Sequence, residues 1–228
     1  MGDPAETIER ARTAANDGDY AEALSQYDYF YDNALKEDRS YYGVRHSYCL
    51  EEWAELAEKY PPAKARLEEK MATALRLLDE TRDPEHFHDY RSICHFLKCT
   101  DKAVSKFLTV HGSDPELAQK TFRFIRDDLV AAEKWDICGA YLLHPDKQYI
   151  QFLNAFDGAM KVNIQENSDE YEDFTKNWFV ENIASLMLIL KNTGKGPESE
   201  IIHEQFSMDM TARGFDDLID ALDEKIAA

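Results

Sequence analysis

Apolar residues recur three and four positions apart along almost the whole chain. Tyr20, Ala23, Leu24 and Tyr27 fall on one helical face, as do Trp178, Phe179, Ile183, Leu186, Met187 and Leu190. No β-branched alternating run of strand length interrupts the pattern. Helix starts are marked by a capping Asp followed by Pro at the first helical position: Asp3-Pro4 with Glu6, Asp83-Pro84-Glu85 and Asp114-Pro115-Glu116. Ser40 and Ser168 are further candidate caps. Breaks fall at Gly18, Asp38–Arg39, Pro61-Pro62, Asp83-Pro84, Gly112–Pro115, His144-Pro145, Gly194–Pro197 and Gly214. They leave helix-sized intervals, so the pattern predicts an all-α chain of about ten to twelve helices. Short connections make consecutive helices antiparallel neighbours. No linker is long enough to mark a domain boundary, and a single domain over 1–228 is expected.

The segment Gly18-Asp19-Tyr20-Ala21-Glu22-Ala23-Leu24 carries the most local information. Gly18 suits the left-handed position just past a helix end. Asp19 is placed to cap the next helix, and Glu22, three residues on, to reach back as in a capping box. Ala23 is small enough for two helices to approach closely. The segment has fainter echoes: Tyr60, Ala63 and Leu67; Thr100, Ala103 and Phe107; Trp135, Cys138 and Leu142. The small residue recurs at 23, 63, 103 and 138, spacings of 40, 40 and 35. A helix of suitable length precedes each copy.

GDYAEAL resembles the turn and second-helix start of a tetratricopeptide (TPR) repeat, and the echoes extend the resemblance over roughly 4–143. The resemblance implies a superhelix of antiparallel helix pairs, a TPR-like α-solenoid. Two features depart from the family: a period of 40 also falls within the HEAT and armadillo range, and the first and second helices look extended, running on through Phe30, Tyr31 and Ala34, and through Tyr41 to Lys59. Beyond 143 the register fades, and 144–228 read as about four more helices, degenerate pairs and a C-terminal cap.

Composition narrows the class of function. The net charge of −19, from 45 acidic and 26 basic residues, argues against nucleic-acid binding and against anionic membranes. A basic partner would be attracted at long range, but a solubilising role for the charge is the simpler account. The clusters Glu166–Asp173 and Asp216–Glu224 read as solvated helix faces. No apolar stretch reaches membrane-spanning length, and the start of the chain lacks the pattern of a signal peptide or a myristoylation signal. Cys49, Cys94, Cys99 and Cys138 form no CxxC pair, so reduced thiols in a cytoplasmic protein are expected. Eight of the twelve tyrosines lie between positions 20 and 60, where inter-helix packing is the main expectation.

The resemblance implies a ligand groove lined by the first helix of each pair. Its positions fall on Arg12 and Asn16; on Arg45, Tyr48, Glu52 and Glu55; on His88, Ser92 and His95; and on Lys120, Arg123 and Asp127. The leading expectation is therefore a protein-interaction module that holds a peptide or partner helix, without catalysis and without a cofactor. An ordinary hydrated concave face would carry the same residue types. A second reading is an enzyme or metal-binding protein built on the His86–Cys99 stretch: on one helix, His88, His95 and Cys99 share a broad face and offer soft zinc ligands. That spacing matches no known short zinc motif. A third reading is an acidic protein that occupies a basic partner surface. Homo-oligomerisation through the C-terminal helices is left open. No HExxH, GxSxG, GxxxxGK[ST] or GxGxxG is present.

Overall fold

The computed structural model describes residues 3–166 and 169–227, and the candidate cap Ser168, with part of the Glu166–Asp173 cluster, lies outside them. The described residues are helical almost throughout and contain no strand. Helix contacts gather into two compact units, Met1–Ile125 and Arg126–Ala228, with the step between them inside one helix.

In the first unit the order is α1 (Pro4–Asp17), α2 (Tyr20–Glu37), a 3-10 turn (Arg39–Tyr41), α3 (Tyr42–His46), α4 (Tyr48–Lys59), α5 (Pro61–Thr81), α6 (Pro84–Phe96), α7 (Thr100–Ser113) and α8 (Pro115–Ala131), the last of which runs past Ile125. Neighbouring helices pack as antiparallel pairs. The start of α1 meets the end of α2, where Pro4 and Thr7 lie beside Ala34 and Glu37. Trp53 Nε1 of α4 donates to the Ala63 carbonyl of α5 at 3.1 Å. Cys94 of α6 lies against Met71 of α5, and Phe87 of α6 packs edge-on against Phe107 of α7.

The four-copy register coincides with this pairing. Tyr20, Thr100 and Trp135 are the first residues of their helices, and Tyr60 immediately precedes α5. The small residues Ala23, Ala63, Ala103 and Cys138 are each fully buried. Tyr27, Leu67, Phe107 and Leu142, four positions further on, are buried as well. The core of the first two pairs gathers Ala11, Ala23, Tyr27, Phe30, Trp53 and Leu67.

Local chemistry accounts for the helix ends. Asp3 and Asp83 accept hydrogen bonds from the backbone N–H two residues on, Asp19 and Asp114 from the one three residues on. Gly18 closes α1 at φ +80°, with Asp19 N–H donating to the Ala14 carbonyl. Three local expectations give way. The reciprocal arm of the capping box is not formed, because the Glu22 carboxylate is taken by Arg10 and Gln26. Asp38, not Ser40, is the cap at the next break: its carboxylate accepts from Ser40 N–H at 2.8 Å. The helix expected from Tyr41 to Lys59 is divided at Ser47, whose backbone leaves the helical region and whose hydroxyl donates to the Gly43 carbonyl.

The second unit contains the end of α8, then α9 (Trp135–Tyr141), α10 (Pro145–Glu166), α11 (Asp169–Asn192), α12 (Gly196–Arg213) and α13 (Asp217–Ala227). The four helices expected over 144–228 are therefore present among the described residues. Helix α11 packs against α9, α10, α12 and α13. Its Phe179, Ile183, Leu186, Met187 and Leu190 are buried as expected, whereas Trp178 of the same set is only half-buried. Phe156, Phe179, Phe206 and Phe215 form a continuous aromatic core. Counting helices of seven residues or more, the described residues hold twelve.

Candidate functional site

Helices α1 and α4 are the first members of the first two pairs, and an open cleft of about 270 Å³ lies along them. Its lining includes Arg12, Asn16, Tyr20, Tyr27, Glu52 and Glu55. Arg12 Nε donates to both Glu52 carboxylate oxygens, at 2.9 and 3.1 Å, and its guanidinium also pairs with Glu9. The Tyr27 hydroxyl donates to Glu52 Oε2 at 3.2 Å. Burial first, and then the Glu52 charge, push the Tyr27 phenol above its ordinary value. The hydrogen bond to Glu52 likewise raises Arg12. The floor of the cleft thus holds the Arg12 guanidinium and the neutral Tyr27 phenol on either side of Glu52. Asn16 and Glu55 are exposed on its rim and hold no side-chain partner among the described residues.

A second polar cluster is built where α3 crosses the start of α6. Arg45 Nε donates to the Tyr31 carbonyl at 2.8 Å, and the guanidinium lies 3.8 Å from the centre of the Tyr31 ring. The same guanidinium pairs with Asp89 Oδ1. His46 Nε2 stands 2.9 Å from that oxygen. His46 Nδ1 faces the Tyr42 carbonyl at 2.9 Å, and its Nε2 also lies 2.8 Å from the Arg45 guanidinium. Burial acts to raise the Asp89 carboxyl, but the His46 and Arg45 hydrogen bonds outweigh it and hold the group well below the usual range. Burial also opposes the charge on Arg45, and Tyr31 and Asp89 together more than offset it.

His88 completes this cluster. Its ring is stacked on His46 at 4.1 Å and on Phe124 of α8 at 4.3 Å. The Tyr42 hydroxyl lies 2.7 Å from Glu85 Oε2 and 2.8 Å from His88 Nδ1. Its single proton goes to the carboxylate, which only accepts, so His88 Nδ1 must donate to Tyr42. Burial, reinforced by His46, lowers the His88 pKa to about 3, and the ring is neutral at physiological pH. Arg123 covers the outer face of Phe124 and reaches Glu85 at 3.3 Å.

The expected groove residues are therefore distributed. Arg12, Asn16, Glu52 and Glu55 meet in the α1–α4 cleft, and Arg45, His88 and Arg123 meet in the α3–α6 cluster. Tyr48 is exposed at the first turn of α4, outside both. Ser92 is buried and His95 is exposed. Lys120 pairs along its own helix with Glu116. Asp127 belongs to the second unit, where it contacts Arg126 and Ser185.

The expected shared helix for His88, His95 and Cys99 does not exist. Helix α6 ends at Phe96, Lys98 takes a left-handed φ of 56°, and Cys99 precedes the first turn of α7. Among the described residues no group of three or more His, Cys, Asp or Glu is arranged to hold a metal. Asp89, His46, Tyr42 and Phe124 carry the second cluster without having been singled out in the sequence. Their partners lie about 40 residues away along the chain, and only the adjacency of Arg45 and His46 hints at them. No described helix is long and apolar enough to cross a membrane. Comparison of the chain with protein-family models, curated proteins and solved structures finds no match.

Proposed function

We propose that the first unit is a TPR-like protein-interaction module that holds an extended peptide or a partner helix against the first helices of its pairs. The observation that carries this reading is the α1–α4 cleft. Four polar side chains expected to line a groove gather there, and two of them, Asn16 and Glu55, are exposed without a side-chain partner among the described residues. The floor beneath them is fixed by the Arg12–Glu52–Tyr27 network, so the cleft is pre-organised and loses little side-chain entropy on binding. The burial of Ala23, Ala63, Ala103 and Cys138 supports the repeat register on which this groove assignment stands. The net charge of −19 favours encounter with basic segments.

Selection from a displayed random-peptide library on the purified chain tests the proposal. Enriched peptides should carry a net positive charge, and Glu55→Arg on the cleft rim should weaken them about tenfold while leaving the fold intact. Enrichment of nothing, or of peptides indifferent to Glu55→Arg and to Asn16→Trp, would remove the cleft from consideration.

A further inference from the structure

A larger cavity, about 710 Å³, borders the same α3–α6 cluster and opens between the C-terminal half of α2, the middle of α5 and the first turns of α6. This volume falls in the range of small-molecule sites. Its wall is conspicuously cationic for a chain of net charge −19. The decisive point is which charges are already spent. Each carboxylate on the wall has a partner. Asp89 is held by Arg45 and His46. Asp32 takes Lys70 at 2.6 Å. Glu85 accepts from Tyr42 and pairs with Arg123. Arg66, also on the wall, is spent on Asp28 and Glu69. Lys36 and Arg39 are different. Lys36 meets only the neutral side-chain oxygen of Asn33, and Arg39 has no ion-pair partner among the described residues. Both are exposed at the cavity mouth, and both are unneutralised positive charges.

Two further features belong to the same wall. Leu35, Ala74 and Leu77 supply an apolar side. Among the described residues, the buried side-chain polar atoms without a hydrogen bond are Asp28 Oδ1, the Tyr31 hydroxyl and His86 Nδ1. The first is compensated by the Lys70 ammonium at 2.8 Å. Tyr31 and His86 both line the cavity. His86 Nδ1 is 3.9 Å from Asp89 Oδ2, beyond hydrogen-bond reach, so no bond to this nitrogen holds the ring in place.

We infer that this cavity binds a small phosphate monoester, its dianionic head between Lys36 and Arg39 and its apolar body on Leu35, Ala74 and Leu77. Two unneutralised cations match a dianion better than a carboxylate. This site is separate from the peptide cleft and does not depend on it.

Phenyl phosphate is the probe, titrated into the full chain and followed by amide chemical shifts, with inorganic phosphate, benzoate and phenol in parallel. Phenyl phosphate should saturate and should shift amides of α2, α5 and the start of α6. It should bind at least several-fold more tightly than inorganic phosphate or benzoate, and phenol should leave the spectrum unchanged. The exposed-residue variant Lys36→Glu with Arg39→Glu should weaken it at least tenfold, whereas Lys120→Glu, outside the cavity, should not. Binding of inorganic phosphate with equal affinity, shifts spread over surface lysines, or no loss in the double variant would overturn the inference. So would saturation with benzoate alone, which would assign the cavity to carboxylates.

Discussion

The clearest energetic consequence of the structure concerns Asp89. Its side chain is 17 % exposed and that of Arg45 12 %, so the pair sits largely out of water. Two opposite charges about 4 Å apart interact by about 4 kcal/mol at an effective dielectric near 20. Breaking a buried pair by removing one member typically costs about 3–5 kcal/mol, because the survivor is left uncompensated. After Asp89→Asn, Arg45 keeps the Tyr31 carbonyl and the face of the Tyr31 ring, so the lower end of that range applies, about 3 kcal/mol. Replacing both partners, Arg45→Met with Asp89→Leu, removes the stranded charge as well. The double variant should then be less damaged than the losses of its own singles, Arg45→Met and Asp89→Leu, added together, with a coupling of about 2 kcal/mol. Urea unfolding followed by Trp53 fluorescence reads this out in a background where Trp135 and Trp178 are replaced by Phe. Trp53 is fully buried in the first unit and reports on it directly. A cost below about 1 kcal/mol for Asp89→Asn, together with additive losses in the double variant, would refute the reasoning.

Three other outcomes follow from the same physical picture. His88 is neutral in the folded state down to about pH 3, whereas an unfolded histidine takes up its proton below about pH 6.5. The unfolded state therefore binds more protons across that window, and stability should fall by about 1–2 kcal/mol between pH 7 and 5. His88→Phe, which preserves the stack between His46 and Phe124, should flatten that slope, and an equal slope in the variant would exclude His88 as its source. Ala23→Trp should disrupt the first helix pair, since Ala23 is fully buried; thermal unfolding unchanged from the parent protein would mean that the hairpin contact is misassigned. In the second unit a Cβ at Gly139 would stand 2.7 Å from Thr193 Cγ2, so Gly139→Ala should cost about 1–3 kcal/mol. Adding Thr193→Ser, which deletes that methyl but keeps the hydroxyl bonds to the Ile189 and Leu190 carbonyls, should recover most of the loss in a melting experiment.

What the sequence reveals here is what depends on near neighbours. The GDYAEAL turn and its echoes mark the starts of α2, α5, α7 and α9, because a small residue three positions after a helix start is a local requirement of close helix approach. The Asp-Pro starts of α1, α6 and α8 are local in the same sense. The Arg45–Asp89 pair joins residues 44 apart, and the stack of His88 on Phe124 crosses from α6 to α8. Neither relation leaves a periodic trace. The division at Ser47 was hidden for a related reason. Gly43 lies four residues earlier, inside α3 and not at the break, and the Arg45 contact with Tyr31 that anchors α3 is tertiary. Of the residues expected to line a groove, Arg12, Asn16, Glu52 and Glu55 lie together because α1 and α4 pack side by side. Arg45 instead lies in the short α3 and is drawn into the core cluster.

The central claim is that the α1–α4 cleft receives a protein segment. Photo-crosslinking amino acids placed at Asn16 and Glu55, with Glu198 on α12 as a control position, test it inside the native host cell. The account predicts that Asn16 and Glu55 capture the same partner through one contiguous, basic peptide, and that Glu198 does not. Capture of unrelated proteins at the three positions, or of none at the cleft, would contradict it.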